Sequence, residues 1–163
     1  MYAPGSSSSS MTLSYNNSNI KYHQMKTTHV EHIGIAVKDL EKSIRFYEEI
    51  LGLKCYNIEE VAEQKVRTAF FMAGQTKIEL LESTSEDGPV AKFLEKRGEG
   101  VHHIAYAVEN IDDALEHVAG KGIRVIDTKP RKGAEGLDIA FLHPGSTFGV
   151  LTELCRKPDS SER

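Results

Sequence analysis

The chain repeats itself, and that repeat constrains its fold more than any other feature. The segment His32-Ile33-Gly34-Ile35-Ala36-Val37 returns 71 residues later as His103-Ile104-Ala105-Tyr106-Ala107-Val108, with four of six positions identical. At the same offset Ala69-Phe70-Phe71 falls on Ala140-Phe141-Leu142, Gly74 on Gly145 and Thr76 on Thr147. Ile78-Glu79-Leu80-Leu81 aligns with Thr152-Glu153-Leu154-Cys155 once a three-residue insertion near Phe148 is allowed for. Two copies of one unit, each too small to bury both faces of its own sheet, have to pair into a common structure.

Each copy reads as a strand, a helix and three strands. In the first, Leu40, Ile44, Tyr47 and Leu51 recur at helical spacing, with Asp39 placed to cap the helix and Gly52 to end it. In the second, Asn110 precedes Ile111, Ala114, Leu115 and Val118, and Gly122 follows. Strands are expected over 53–60, 66–73 and 76–82, and again over 123–128, 137–143 and 149–155. Gly88-Pro89 opens a short connecting helix with Val90, Phe93 and Leu94, and Gly98 and Gly100 mark its exit. The expected class is α+β: paired βαβββ modules forming an eight-stranded, partly open barrel-like sheet. Module one covers about 29–84, the connector helix about 85–99 and module two about 100–157.

With 39% hydrophobic residues, the 163-residue chain can build a core, and with 27% charged residues and a net charge of -4 it carries no basic nucleic-acid footprint. No apolar run approaches the roughly 20 residues of a membrane helix. Cys55 and Cys155 form neither a CxxC pair nor a disulfide framework. A reducing compartment is expected: the cytoplasm, or the mitochondrial matrix if the source is eukaryotic. Residues 1–28 are rich in Ser and Asn and contain no acidic residue, since the first is Glu31. They are expected to be a disordered tail or an appended expression segment; a transit peptide would carry arginines, and the first here is Arg45.

Alternation places Val30, His32, Gly34 and Ala36 on one strand face, and His103, Ala105 and Ala107 on one face of the repeat-equivalent strand. Both histidines then stand among small residues, as a ligand cavity requires. The last strand of each copy carries a carboxylate, Glu79 or Glu153, inside an otherwise apolar stretch where an unpaired charge is costly. A lone strand histidine is most often structural, and a lone strand glutamate usually pairs with a lysine or faces water. Recurrence of both at equivalent places favours a metal site built from His32, Glu79, His103 and Glu153 near the pseudo-twofold axis. Such a nitrogen and oxygen set suits cobalt, nickel, manganese, iron or zinc, with positions left open for a ligand. His102 is expected on the opposite face, outside the site. His23, His29, His117 and His143 lack the repeat logic and read as surface or structural residues.

Four ordered motifs, Glu31 to Val37, Thr76 to Leu81, Gly100 to Ala105 and Gly149 to Leu154, resemble the vicinal oxygen chelate superfamily of glyoxalases, bleomycin resistance proteins and dioxygenases, over about residues 29–157. The run Lys129-Pro130-Arg131-Lys132-Gly133-Ala134-Glu135-Gly136, followed by Ile139 to Pro144, is similar to methylmalonyl-CoA epimerases rather than to glyoxalases. That resemblance implies epimerisation of (2R)- and (2S)-methylmalonyl-CoA by metal-assisted proton abstraction and reprotonation at C2 through an enolate. It implies one divalent ion per chain on His32, Glu79, His103 and Glu153, cobalt first, with manganese, nickel, zinc or magnesium as alternatives. Glu79 and Glu153 would be the catalytic acid and base, Lys129, Arg131 and Lys132 would meet the CoA phosphates, and the protein would be a homodimer. Glu63 and Gln64 are weaker candidates for polar contacts.

One departure matters. Some epimerases carry Gln at the place of Glu79 and a catalytic Glu on the third strand, where this chain has Thr68. Two rivals stay open: a glyoxalase I-type lactoylglutathione lyase, which substrate assays separate, and a metal-free small-molecule-binding protein, which metal analysis separates. An extradiol dioxygenase would want three protein ligands, and the fourth, Glu79, disfavours it.

Overall fold

In the computed structural model, which describes residues 25–158, the two copies fold as two βαβββ units joined by one helix. The first consists of β1 (Thr27–Ala36), α1 (Leu40–Glu49), β2 (Cys55–Val61), β3 (Val66–Ala73) and β4 (Thr76–Ser83). The connector is α2 (Pro89–Arg97), and the second unit holds β5 (Gly100–Val108), α3 (Ile111–Gly120), β6 (Arg131–Lys132), β7 (Asp138–Leu142) and β8 (Leu151–Arg156). The strands form one mixed, curled eight-stranded sheet in the order β2-β3-β4-β1-β5-β8-β7-β6. β1 and β5 lie antiparallel at its centre, β4 runs parallel to β1, and β8 runs parallel to β5.

The helices form where their caps place them. Asp39 accepts from the Lys42 amide at 2.8 Å and Asn110 from the Asp113 amide at 3.1 Å, each satisfying a first-turn N–H that has no partner within the helix. α1 buries Leu40 and Ile44 against Phe71 and Leu80, and α3 buries Ile111, Ala114, Leu115 and Val118 against Ala140, Leu142 and Leu154. Both helices cover the back of the sheet, which leaves the inside of the curl for polar groups. Removing one cap, with Asp39→Ala, is expected to lower stability by about 1 kcal/mol, read as a shift in the urea midpoint at unchanged slope. Among the described residues no helix is long and apolar enough to cross a membrane.

Two boundaries differ from the sequence reading. β1 starts before residue 29: Thr27 pairs with Val108, and the Thr28 hydroxyl donates to the Ala107 carbonyl at 3.2 Å. Residues 1–24 of the expected tail, including His23, lie outside the described residues. The strand expected over 123–128 is reduced to a single bridge, Val125 to Leu142, and the ladder resumes only at β6. The Asp127 carboxylate accepts from the Phe141 amide at 2.9 Å, so a side chain takes a ladder donor, and Pro130 has no N–H to offer.

Candidate active site

Register across the sheet brings the four repeat-selected residues together. One row runs Phe70 (β3), Glu79 (β4), Gly34 (β1), His103 (β5) and Leu151 (β8). The other runs Phe141 (β7), Glu153 (β8), Ala105 (β5), His32 (β1) and Lys77 (β4). In each row a small residue separates the glutamate of one strand from the histidine of another. The space is needed, because a Cβ at Gly34 would lie 2.3 Å from His103 Cε1. Gly34→Ala is therefore expected to displace the His103 ring and to lower bound metal at least tenfold, read by metal analysis of the purified protein.

His32, Glu79, His103 and Glu153 are all at most 5% exposed. The two Nε2 atoms stand 3.0 Å apart, and Glu153 Oε2 lies 3.4 Å from that of His103 and 3.7 Å from that of His32. These three side chains form one group able to hold a metal ion. Glu153 Oε1 is buried with no hydrogen-bond partner, a costly state for a carboxylate oxygen and one that a cation would relieve. Nitrogen and oxygen donors of this kind fit a divalent transition ion. Glu79 stands apart from the trio: its Oε1 is 3.6 Å from His32 Nδ1, in a second group with Glu31.

The residue before each histidine holds that ring's other nitrogen. Glu31 bonds His32 Nδ1, and His102 Nδ1 lies 2.9 Å from His103 Nδ1. β1 bulges at Glu31, between the Val30–Tyr106 and His32–Ala105 pairs, and the bulge turns the carboxylate onto its neighbour's ring. Orienting contacts of this kind set which nitrogen is free to ligate. His102 thus belongs beside the site, contrary to the alternation argument; its ring meets Phe93 edge-on at 5.0 Å and lines the cavity.

Behind Glu31 lies a cation that sequence reasoning passed over. The buried Lys77 ammonium sits 2.8 Å from Glu31, 2.7 Å from Glu135 and 4.0 Å from Glu79. Tyr56 donates to Glu135 at 3.2 Å, and the Glu135 amide donates to Glu59 at 3.0 Å, so the loop of the second unit is tied to β2 and β4 of the first. Repeat alignment could have found Glu31, which falls on His102. No comparable signal marks Lys77 or Glu135.

Charge is distributed unevenly between the two imidazoles. Burial opposes a charge on His32, but Glu79, Glu153 and Glu31 outweigh it and raise its pKa to about 10. His103 is held well below the ordinary range by burial and by the neighbouring His32 and His102. Burial raises Glu79 to about 7, while for Glu31 burial is overcome by His32 and Lys77, leaving it near 2. His102, buried without a compensating charge, falls to about 4.

The cluster forms the floor of a cavity of about 370 Å³. Its lining includes Glu63, Gln64 and Thr68 from the first unit and Arg131, Leu137 and Phe141 from the second. Of the three expected phosphate-binding residues only Arg131 lines it, held by Asp127 at 3.2 Å and lying over the Phe141 ring at 5.4 Å. Lys132 is tied to Asp138 at 2.6 Å, and Lys129 is exposed away from the cavity wall.

Fold and site together define a paired-module protein with a buried imidazole and carboxylate cluster inside a curled sheet. Residues 31–141 match the Glyoxalase/Bleomycin resistance protein/Dioxygenase superfamily, and the chain belongs to that family. It is 47% identical over 126 residues to the uncharacterized protein YqjC of Bacillus subtilis, covering 77% of this chain and 90% of that one. It is 40% identical over 126 residues to the mitochondrial methylmalonyl-CoA epimerase of Homo sapiens, covering 77% of this chain and 72% of that one. Among solved structures it resembles a variant of Streptomyces coelicolor methylmalonyl-CoA epimerase in complex with 2-nitronate-propionyl-CoA, at 40% identity and a TM-score of 0.79, covering 81% of this chain and 96% of that one.

Proposed function

We propose that this protein interconverts (2R)- and (2S)-methylmalonyl-CoA at the cluster between β1, β4, β5 and β8. The observation that carries the reading is the set of two buried histidines and two buried carboxylates at repeat-equivalent positions on the floor of a cavity. Likeness to epimerases that act on such a thioester supports it. At about 370 Å³ the cavity is near the lower end of ordinary ligand pockets, and it accommodates the acyl end of a CoA thioester, not the whole molecule.

His32, His103 and Glu153, with Glu79 beside them, would hold one divalent ion, cobalt first and manganese, nickel, zinc or magnesium after it. When bound, the ion supplies Lewis acidity, which favours the loss of the C2 proton by stabilising the negative charge that develops on the substrate. Glu79, with a pKa near neutrality, is suited to take or give that proton. Glu153 is its repeat-equivalent partner, and a carboxylate on each side of C2 lets one remove the proton while the other returns it to the opposite face. Thr68 lines the cavity but offers only a hydroxyl, so we assign the acid and base duties to Glu79 and Glu153. Arg131, fixed between Asp127 and Phe141, would meet anionic substrate groups at the cavity wall, with Lys129 and Lys132 on the same loop.

Metal uptake should release protons. His32 is protonated below about pH 10 in the metal-free protein and must be neutral to ligate, so apparent affinity rises with pH through the neutral range. Calorimetry of metal binding in buffers of differing ionisation enthalpy should return at least one proton released per ion near neutrality, one from His32 and a fraction from Glu79. A value of zero would contradict this assignment of His32.

The exposed Phe46, Ile50 and Leu51 at the end of α1 form an apolar patch suited to a homodimer, which sedimentation velocity would test. Both cysteines are free thiols, in keeping with a reducing compartment such as the cytoplasm. The reaction itself is tested by assaying methylmalonyl-CoA beside the hemithioacetal of methylglyoxal and glutathione. Conversion of the first alone supports the epimerase, and conversion of the second alone moves the protein to the lactoylglutathione lyases.

A further inference from the structure

A second groove, of about 770 Å³, opens beside the acyl cavity, and Pro89, His102, Ile126 and Leu151 line both. Its floor is apolar: Phe93, Val101, Ile104 and Val150 contribute to it, and Val101, Ile126 and Val150 are 54%, 51% and 41% exposed. Its rim is cationic. Lys92, Lys96 and Arg97 of α2 line the groove, are exposed, and make no ion pair among the described residues. Lys92 and Lys96, and likewise Phe93 and Arg97, are spaced i,i+4 on the helix, so the cations and the apolar floor lie along one side of α2. On the loop from Lys129 to Lys132, by contrast, Asp127 and Asp138 hold two of the three cations.

We propose that this groove binds the coenzyme A arm of the thioester, its pantetheine along the apolar floor and its phosphate groups at Lys92, Lys96 and Arg97. The inference rests on the CoA thioester reading given above. The four shared residues put the acyl cavity and the groove side by side, close enough for a single ligand to place its thioester over the histidines and its arm along α2. The arm's methyl and methylene groups match the apolar floor, and its phosphates match uncompensated cations, whose attraction is screened by salt. His102 forms part of the wall of both cavity and groove.

The test is titration of coenzyme A itself into the full-length protein at low and high salt, by calorimetry, with wild type and K92A/K96A/R97A compared. Wild-type affinity should fall with salt. The triple variant, checked for an unchanged melting curve, should bind at least tenfold more weakly at low salt and show a flattened salt dependence, which loss of shape alone would not produce. Equal, equally salt-sensitive binding by both proteins would overturn the groove, and if wild type still epimerises methylmalonyl-CoA the proposed reaction stands without it. Salt-sensitive binding that the triple variant loses, in a protein that does not turn over methylmalonyl-CoA, would keep the groove and overturn the acyl group assigned. No coenzyme A binding by wild type, or loss confined to K129A/K132A, would also overturn it.

Discussion

His32→Ala and His103→Ala should each remove stoichiometric metal and lower epimerase turnover by about a thousandfold or more, the kinetic equivalent of the several kcal/mol that a bound Lewis acid contributes. The two substitutions should differ in the metal-free protein. His32 there is the protonated partner of Glu31, Glu79 and Glu153, whereas His103 is neutral. Deleting His32 leaves buried carboxylates without their nearest cation, a defect that costs about 3–5 kcal/mol, and deleting His103 leaves chiefly a cavity. Urea unfolding in the presence of a chelator should therefore place His32→Ala below His103→Ala. Full activity and metal content in both variants would remove the site assignment.

The carboxylate pair should separate by a different criterion. Glu153 belongs to the three donors that converge, while Glu79 stands nearest His32 Nδ1. Glu153→Gln is expected to lose both metal and turnover. Glu79→Gln is expected to keep most of its metal and still lose turnover by about 10²–10⁴-fold, the usual worth of a positioned acid or base. A pKa near 7 is what suits Glu79 to the proposed duty, and Thr68, also on the cavity wall, has no carboxyl to replace it. Metal analysis and steady-state rates on the same two preparations decide the matter: wild-type turnover in Glu79→Gln would shift the proton to another group.

The contrast between what the sequence disclosed and what it withheld is physical. His32 with His103 and Glu79 with Glu153 were legible because duplication doubles a signal: a residue that is ambiguous once becomes informative when it recurs 71 residues on or after the same insertion. Caps at Asp39 and Asn110 were legible because they act on amides three residues away. Glu31 was concealed because a bulge breaks the alternation on which face assignments depend, and no residue pattern announces it. The same simplification misplaced His102, which contacts the neighbouring His103 ring.

Lys77 and Glu135 were hidden for another reason. They meet across units from β4 and the loop before β7, a contact of long sequence separation with no periodic trace. The strand expected over 123–128 failed because its hydrophobic residues fit a ladder, whereas the Asp127 side chain captured a backbone donor of the facing strand. Local patterns report which groups could pair, and the packed chain decides which do.

The most direct test of the central claim is deuterium incorporation at C2 of (2R)-methylmalonyl-CoA in deuterated water, followed by mass spectrometry and chiral analysis. The protein is first stripped of metal and then reconstituted with cobalt. No exchange is expected in the stripped protein, and rapid exchange accompanied by inversion to the (2S) form once metal is returned. Metal-loaded protein that leaves C2 unexchanged, or stripped protein that exchanges it at the full rate, would contradict the account.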